Sequence, residues 1–261
     1  MVFATSFEPR GNQALSDHRP PNILISYAYA AQFARVEYTP PFLMIDSGAF
    51  SAWQAGRPTD LHGYGRFAQS LVSARRGLET WCVNLDVIPG EFGRTSSADE
   101  RAAGIAESLH HADILRRVYR LPLVEVFHQD EPWDFLDTLL KRLPAGGILG
   151  ISPRNDVSPK SRAAWLWELA QRIAARRGIE AFPRCHGLAV TCRECVEAFP
   201  FYSVDSSTWA VSYPFGNVIT AQGRQQCITK DGQFPRQKHR RLNSSRRTAT
   251  CATSPPLLAG R

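Results

Sequence analysis

Two aspartates carry the first chemical signal in this chain. Asp46 closes the apolar run Phe42–Asp46 and is followed by Ser-Gly-Ala-Phe; Asp205 closes Tyr202–Asp205 and precedes Ser-Ser-Thr-Trp. A carboxylate at the end of a buried strand can serve as a general base or acid. It can also attack an anomeric carbon and hold a covalent glycosyl intermediate. After Asp46, Gly48 permits close approach of backbone to ligand, and the amides of Ser47 and Gly48 suit an anion or a base edge. Either aspartate alone could instead be a cap of the following segment, the less favoured reading. Two of them, far apart in sequence but both at strand exits, favour a shared site.

Other polar residues fall at the same kind of position. Asp86 ends Trp81–Asp86 and could bind the polar edge of a heterocycle. His128 and Gln129 follow an apolar run, and either could donate to a ring carbonyl. Gly150 lies within Gly147–Ser152, and His186 lies in Phe182–Ala189. The expected site therefore has Asp205 and Asp46 as catalytic groups, with Asp86, Ser47, Gly48, His128, Gln129, Gly150 and His186 around the substrate. No metal or cofactor is expected. Cys192 and Cys195 form one CxxC with no second pair, and His239 and Cys251 lack zinc-site spacing. No phosphate-loop or GxGxxG pattern occurs.

The elements that must position these residues are short apolar runs alternating with helix-like segments. The runs are Asn22–Tyr27, Phe42–Asp46, Trp81–Asp86, Leu121–His128, Gly147–Ser152, Phe182–Ala189 and Tyr202–Asp205, with Asn217–Thr220 as a candidate eighth. Most are continuous rather than alternating, as in strands covered on both faces. Helices are predicted over Leu61–Arg76, Ser97–Val118 and Trp133–Leu143. Another starts at the Ser158 cap with Pro159 in first position and runs to about Arg177. A short one is predicted behind a Thr191/Glu194 capping box. The fold class is thus α/β, a single-domain (β/α)8 TIM-type barrel, with a doubly wound open sheet as the alternative. In a barrel the strand exits share one face, and the active site lies there.

Residues 1–21 read as an N-terminal extension, 22–221 as the barrel domain and 222–261 as a basic tail. The net charge of the 261-residue chain is +7. Nine Lys or Arg against Asp231 alone give the tail +8, so the rest carries −1. Such a tail is expected to be disordered, and could grip phosphates or serve only as a solvated appendage. No apolar stretch suggests a membrane span, and no signal-peptide layout opens the chain, so a cytoplasmic setting with reduced cysteines is expected.

In order and spacing, Asp-Ser-Gly-Ala-Phe (46–50), Asn-Leu-Asp (84–86), Val-Phe-His-Gln (126–129), Gly-Ile-Leu-Gly-Ile-Ser (147–152), His-Gly-Leu-Ala-Val-Thr (186–191) and Ser-Val-Asp-Ser-Ser-Thr-Trp (203–209) resemble the guanine transglycosylases. The likeness spans about residues 23–216 and is nearest to the short, DpdA-like branch that acts on DNA. It implies exchange of guanine in nucleic acid for a 7-deazaguanine such as preQ0, through an aspartyl-glycosyl intermediate. By position Asp205 matches the nucleophile, Asp46 the general acid/base and Asp86 the purine-reading aspartate. Gln129 or His128 matches the base-binding glutamine, and Gly150 falls in a pocket-lining segment. The CxCxxC…His zinc site that helps the tRNA enzymes bind tRNA is missing, so DNA is favoured over tRNA as the partner. A nucleoside hydrolase or glycosidase using the same aspartates, and a non-catalytic nucleic-acid-binding protein, are the alternatives.

Overall fold

The computed structural model describes residues 2–4, 15–29, 38–90, 96–190, 192–206, 217–219 and 225–227. Nine parallel strand segments form one sheet: β1 (Val2–Ala4), β2 (Asn22–Ser26), β3 (Phe42–Asp46), β4 (Glu79–Val83), β5 (Leu123–Val124), β6 (Val126–His128), β7 (Ile148–Ser152), β8 (Arg184–Gly187) and β9 (Ser203–Ser206). Their hydrogen-bonded order is β5-β4-β3-β2-β1-β9-β8-β7-β6. Only Glu125 separates β5 from β6. β5 pairs with β4 and β6 with β7, and the Glu125 carbonyl accepts the Gly150 amide at 2.8 Å. Between the strands run α1 (Ala49–Gln54), α2 (Leu61–Ala74), α3 (Ala98–Arg117), α4 (Trp133–Arg142), α5 (Pro159–Arg177) and α6 (Arg193–Ala198).

Two expectations change here. The strand between β2 and β9 comes from residues 2–4, inside the stretch read as an extension. Residues 217–219 instead form β10 (Asn217–Ile219), antiparallel to β11 (Gln225–Cys227) in a separate hairpin. Three residues are too few for a hydrophobic pattern to reveal β1, whereas the run Asn217–Thr220 looked like a strand, and Asn217–Ile219 of it form one, in another sheet. Beyond 227 the tail lies outside the described residues.

Local chemistry explains the helices. Ser97 accepts the Glu100 amide and Glu100 returns a bond to the Ser97 amide, a reciprocal capping box for α3. Ser158 caps α5 with Pro159 next to it, as predicted. Asp60 caps α2 by accepting the Gly63 amide at 2.7 Å. The cap of α6 is Cys192 rather than Thr191, which lies outside the described residues. Cys192 and Cys195 are joined as a disulfide, correcting the expectation of reduced thiols for this pair. Three residues apart on one turn, their Cα atoms are 5.4 Å apart, within disulfide reach. Cys82 and Cys185 are free and buried. Among the described residues no helix is long and apolar enough to cross a membrane.

The strands bury both faces. Leu43 and Ile45 of β3 pack toward α2 and α3 in one cluster, while Phe42 and Met44 join Leu24, Val83, Val124, Val126 and Ile148 in another. That second cluster uses one strand face only. Side chains two apart share a face, so extending the same parity places Ser26, Asp46, His128, His186 and Asp205 on it. A buried polar residue completes this assembly: Glu125, 5% exposed, accepts from Arg116 at 2.7 Å and from Arg142 at 2.9 Å. This pairing anchors α3 and α4 to the β5–β6 junction.

Candidate active site

Asp46 stands at the exit of β3, in register with Ser26 of β2. Its Oδ2 accepts the Gly48 amide at 3.1 Å, folding the chain back on the carboxylate. Gly48 has φ 76, which favours glycine, and a Cβ there would lie a tight 3.1 Å from the Ala28 nitrogen. Beneath the site the Tyr64 hydroxyl donates to the Val83 carbonyl at 2.6 Å and lies 3.1 Å from that of Ile45, tying β3 to β4. Burial first, and then the charges of Asp205 and Asp86, push the Asp46 carboxyl up to about 6; the Gly48 amide opposes the rise, as does the Ser26 hydroxyl, which lies close by without making a hydrogen bond of good geometry. Asp46 thus senses both of the other strand-exit aspartates, and the three carboxylates share one region.

Asp86 and His128 meet directly, with Oδ2 2.7 Å from Nε2. The His128 amide donates to Glu131 at 2.6 Å. Burial alone would lower the His128 pKa, but the charges of Glu131 and Asp86 and the Asp86 hydrogen bond outweigh it and raise it to about 9. Glu131 is pushed up to about 7 by burial, against the pull of His128. Of the two candidates for a base-binding group, His128 therefore faces the site. Gln129 turns away, its Oε1 accepting the Arg154 amide at 3.0 Å and its own amide donating to Ser152.

Asp205 is held from β8. Its Oδ1 accepts the Ala189 amide at 2.7 Å, and His186 Nε2 stands 3.4 Å from the same oxygen. His186 is fully buried, with Nδ1 2.8 Å from Ser203 Oγ. It was expected to touch substrate, but the structure places it beneath Asp205, because its strand position points it into the core.

Gly150 is also displaced from its expected role. Its amide is spent on the Glu125 carbonyl, and a Cβ would come within 2.9 Å of Val126, so its smallness serves sheet packing. Ser47 is buried, and its hydroxyl has no partner among the described residues. A cavity of about 10 Å³ lies beside Asn84, Asp86, Glu125, His128 and Glu131. It has room for a water molecule, not for a purine. Sequence reasoning missed Glu131, Ser203 and the Ala189 amide. Glu131, three residues past a strand-end histidine, and Ser203, two before Asp205 on the same strand face, were open to discovery by periodicity. The amide was not, because φ 53 at Ala189 is unusual for alanine.

Together these groups offer a carboxyl that can gain and lose a proton near neutrality, a second carboxyl fixed by an amide, and a charged Asp86–His128 pair. No protein-family model matches the chain, and no curated protein matches it. Among solved structures, the N-acetylneuraminate lyase of Proteus mirabilis is similar at TM-score 0.45 and 12% identity, over 82% of this chain and 72% of that one.

Proposed function

We propose that the parallel sheet closes into a (β/α)8 barrel, and that its strand-exit face carries out guanine transglycosylation on nucleic acid. Support for closure is that β5 and β6, one residue apart, take partners at opposite ends of the strand order. Carrying the registers once round displaces a row by about eight residues, the stagger of such barrels.

One observation carries the chemistry: Asp46 is half-buried within electrostatic reach of Asp205 and Asp86, which tunes it near neutrality. A general acid works best with a pKa near the working pH, and pairs of carboxyls with different environments divide the acid and nucleophile roles. In the proposed reaction an Asp205 oxygen attacks C1′ as the bond from C1′ to the guanine nitrogen breaks. Protonated Asp46 delivers its proton to the departing purine. The incoming 7-deazaguanine then gives its proton to Asp46, attacks C1′ and releases Asp205. The base would sit at the strand-exit face beside Asp46 and the Asp86–His128 pair, since the cavity of about 10 Å³ is too small. A target base must leave its stack to arrive there. DNA is the favoured substrate, with tRNA second, and preQ0 is a candidate incoming base.

Incubation of the protein with guanine-containing DNA and tRNA oligonucleotides tests this reading. The expected result is a covalent adduct, lost in Asp205→Asn, together with exchange of labelled guanine. Neither adduct nor exchange with any guanine-containing strand would refute it. Release of free base without incorporation would assign the same carboxylates to a hydrolase.

A further inference from the structure

We propose that His186 is a positioning residue for Asp205, aiming Nε2–H at its Oδ1, with Ser203 fixing the tautomer. The inference rests on the transglycosylase reading only where it concerns rates; its geometry stands alone. Three buried groups are in line. Ser203 Oγ is 2.8 Å from Nδ1, and Nε2 is 3.4 Å from Asp205 Oδ1. Ser203 and Asp205 are each 8% exposed and His186 0%. A ring so enclosed cannot reach a ligand, and the chemistry in hand otherwise leaves it unused.

The proton can be placed by elimination. Oδ1 already accepts the Ala189 amide at 2.7 Å, so it is an acceptor. A bare Nε2 lone pair facing it would set two acceptors against each other. Nε2 therefore carries hydrogen, and in the neutral ring Nδ1 then has none. Ser203, whose hydroxyl rotates freely, supplies the O–H that Nδ1 accepts. Nε2 has no full hydrogen bond in this state, with 3.4 Å a long approach. A small shift of Asp205 would complete it. The device resembles a histidine whose second nitrogen is fixed by a partner so that the first is aimed.

On the proposed reaction path this matters most as Asp205 leaves the sugar and negative charge returns to its oxygens. The Ala189 amide and the His186 Nε2–H then converge on Oδ1. Among the described residues both groups act on that oxygen, which leaves Oδ2 to bond with C1′.

The test has two arms. Nitrogen-15 NMR of the histidine rings of the full chain reads the tautomer directly, with His186→Gln to assign the signal. The expected result is a protonated Nε2 and an unprotonated Nδ1; the opposite tautomer, or a ring protonated at both nitrogens, overturns the proposal whatever the protein does. In the second arm, exchange of labelled guanine is timed in His186→Leu and His186→Gln, each checked for wild-type circular dichroism and melting. Leucine removes the donor, and the rate of the covalent cycle is expected to fall about 10- to 100-fold with oligonucleotide affinity unchanged. Glutamine can place an N–H near the Nε2 position and should restore most of that loss. Exchange of labelled guanine by the leucine variant at the wild-type rate would overturn the role. If the wild type forms no adduct at all, the transglycosylase reading falls, and the tautomer result alone decides the His186–Asp205 contact.

Discussion

Asp46→Asn should make the protein more stable near neutrality while removing its chemistry. The Asp46 carboxyl is raised from 3.8 to about 6, foremost by burial and then by the charges of Asp205 and Asp86. A shift of that size corresponds to about 3 kcal/mol at 1.36 kcal/mol per pKa unit. Water reaching the partly open strand exits screens the charges, so about 1–3 kcal/mol is the working range. The sign follows from linkage: a raised pKa means that the folded protein holds the proton more tightly than the unfolded chain. The contribution is fully present below pH about 3.8 and is lost as pH rises through about 6. Asparagine keeps an oxygen to accept the Gly48 amide but never ionises. Urea denaturation of both proteins at matched pH values from 4 to 8 would report the difference, since titrations of other groups largely cancel in the comparison. The asparagine variant should gain on the wild type by about 1–3 kcal/mol between pH 4 and pH 8. A gap that stays flat over that range, or that widens toward acid, would show that Asp46 is not strained by its surroundings.

Three further substitutions test other parts of the assembly. Asp86→Asn should lower the His128 pKa from about 9, because one of the two carboxylates that overcome its burial becomes neutral; proton NMR titration of the ring reads this directly. The sign for the wild type is that the stability from this pairing is fully present below about 6.5 and lost as pH rises through about 9. Glu125→Ala should cost about 3–5 kcal/mol in chemical denaturation, because Arg116 and Arg142 lose the carboxylate they share at the β5–β6 junction. Gly48→Ala should cost about 1–2 kcal/mol for the left-handed backbone alone. It should also slow adduct formation, since the turn that aims Asp46 must shift away from Ala28.

Most of the strands were legible because they are buried on both faces. The run Phe42–Asp46 is β3 to the residue, and Gly147–Ser152 differs from β7 by one position. β4 starts two residues before the apolar signal, because Glu79 sits exposed at the sheet rim and Thr80, though buried, is polar and takes a hydrogen bond from Arg75. Glu125 interrupts an apolar run that was read as one strand; the structure breaks it there, and the charge is matched by two arginines that no local pattern could announce. α1 was hidden for another reason: six residues behind a left-handed glycine carry too little periodicity to stand out from a turn. The site divides along the same line. Residues at strand ends could be listed from sequence, but which nitrogen or oxygen each uses depends on neighbours about twenty to forty positions away. Hence His128 and Gln129 were indistinguishable until one met Asp86 and the other met Arg154.

The devices that hold the three aspartates differ, and the difference bears on their roles. Asp205 is fixed through one oxygen by a backbone amide, with a buried ring behind it. Asp86 is matched by the cationic ring of His128 at 2.7 Å. Asp46 has the Gly48 amide and the Ser26 hydroxyl on its side, yet burial and its two carboxylate neighbours still prevail. A site that needed three permanent anions would give each a cation; among the described residues a cationic ring faces Asp86 alone. Replacing Ser26 by Ala therefore offers a discriminating test. It removes a group that favours the charged form, so the Asp46 pKa should rise above about 6, and the acid limb of any Asp46-dependent reaction should move the same way. A reaction that used Asp46 only as a fixed anion would lose rate at neutral pH in that variant and recover at higher pH. A reaction that used it to deliver a proton would hold its rate further toward alkaline pH, and carbon-13 titration of Asp46 in the same protein would show whether the two shifts coincide.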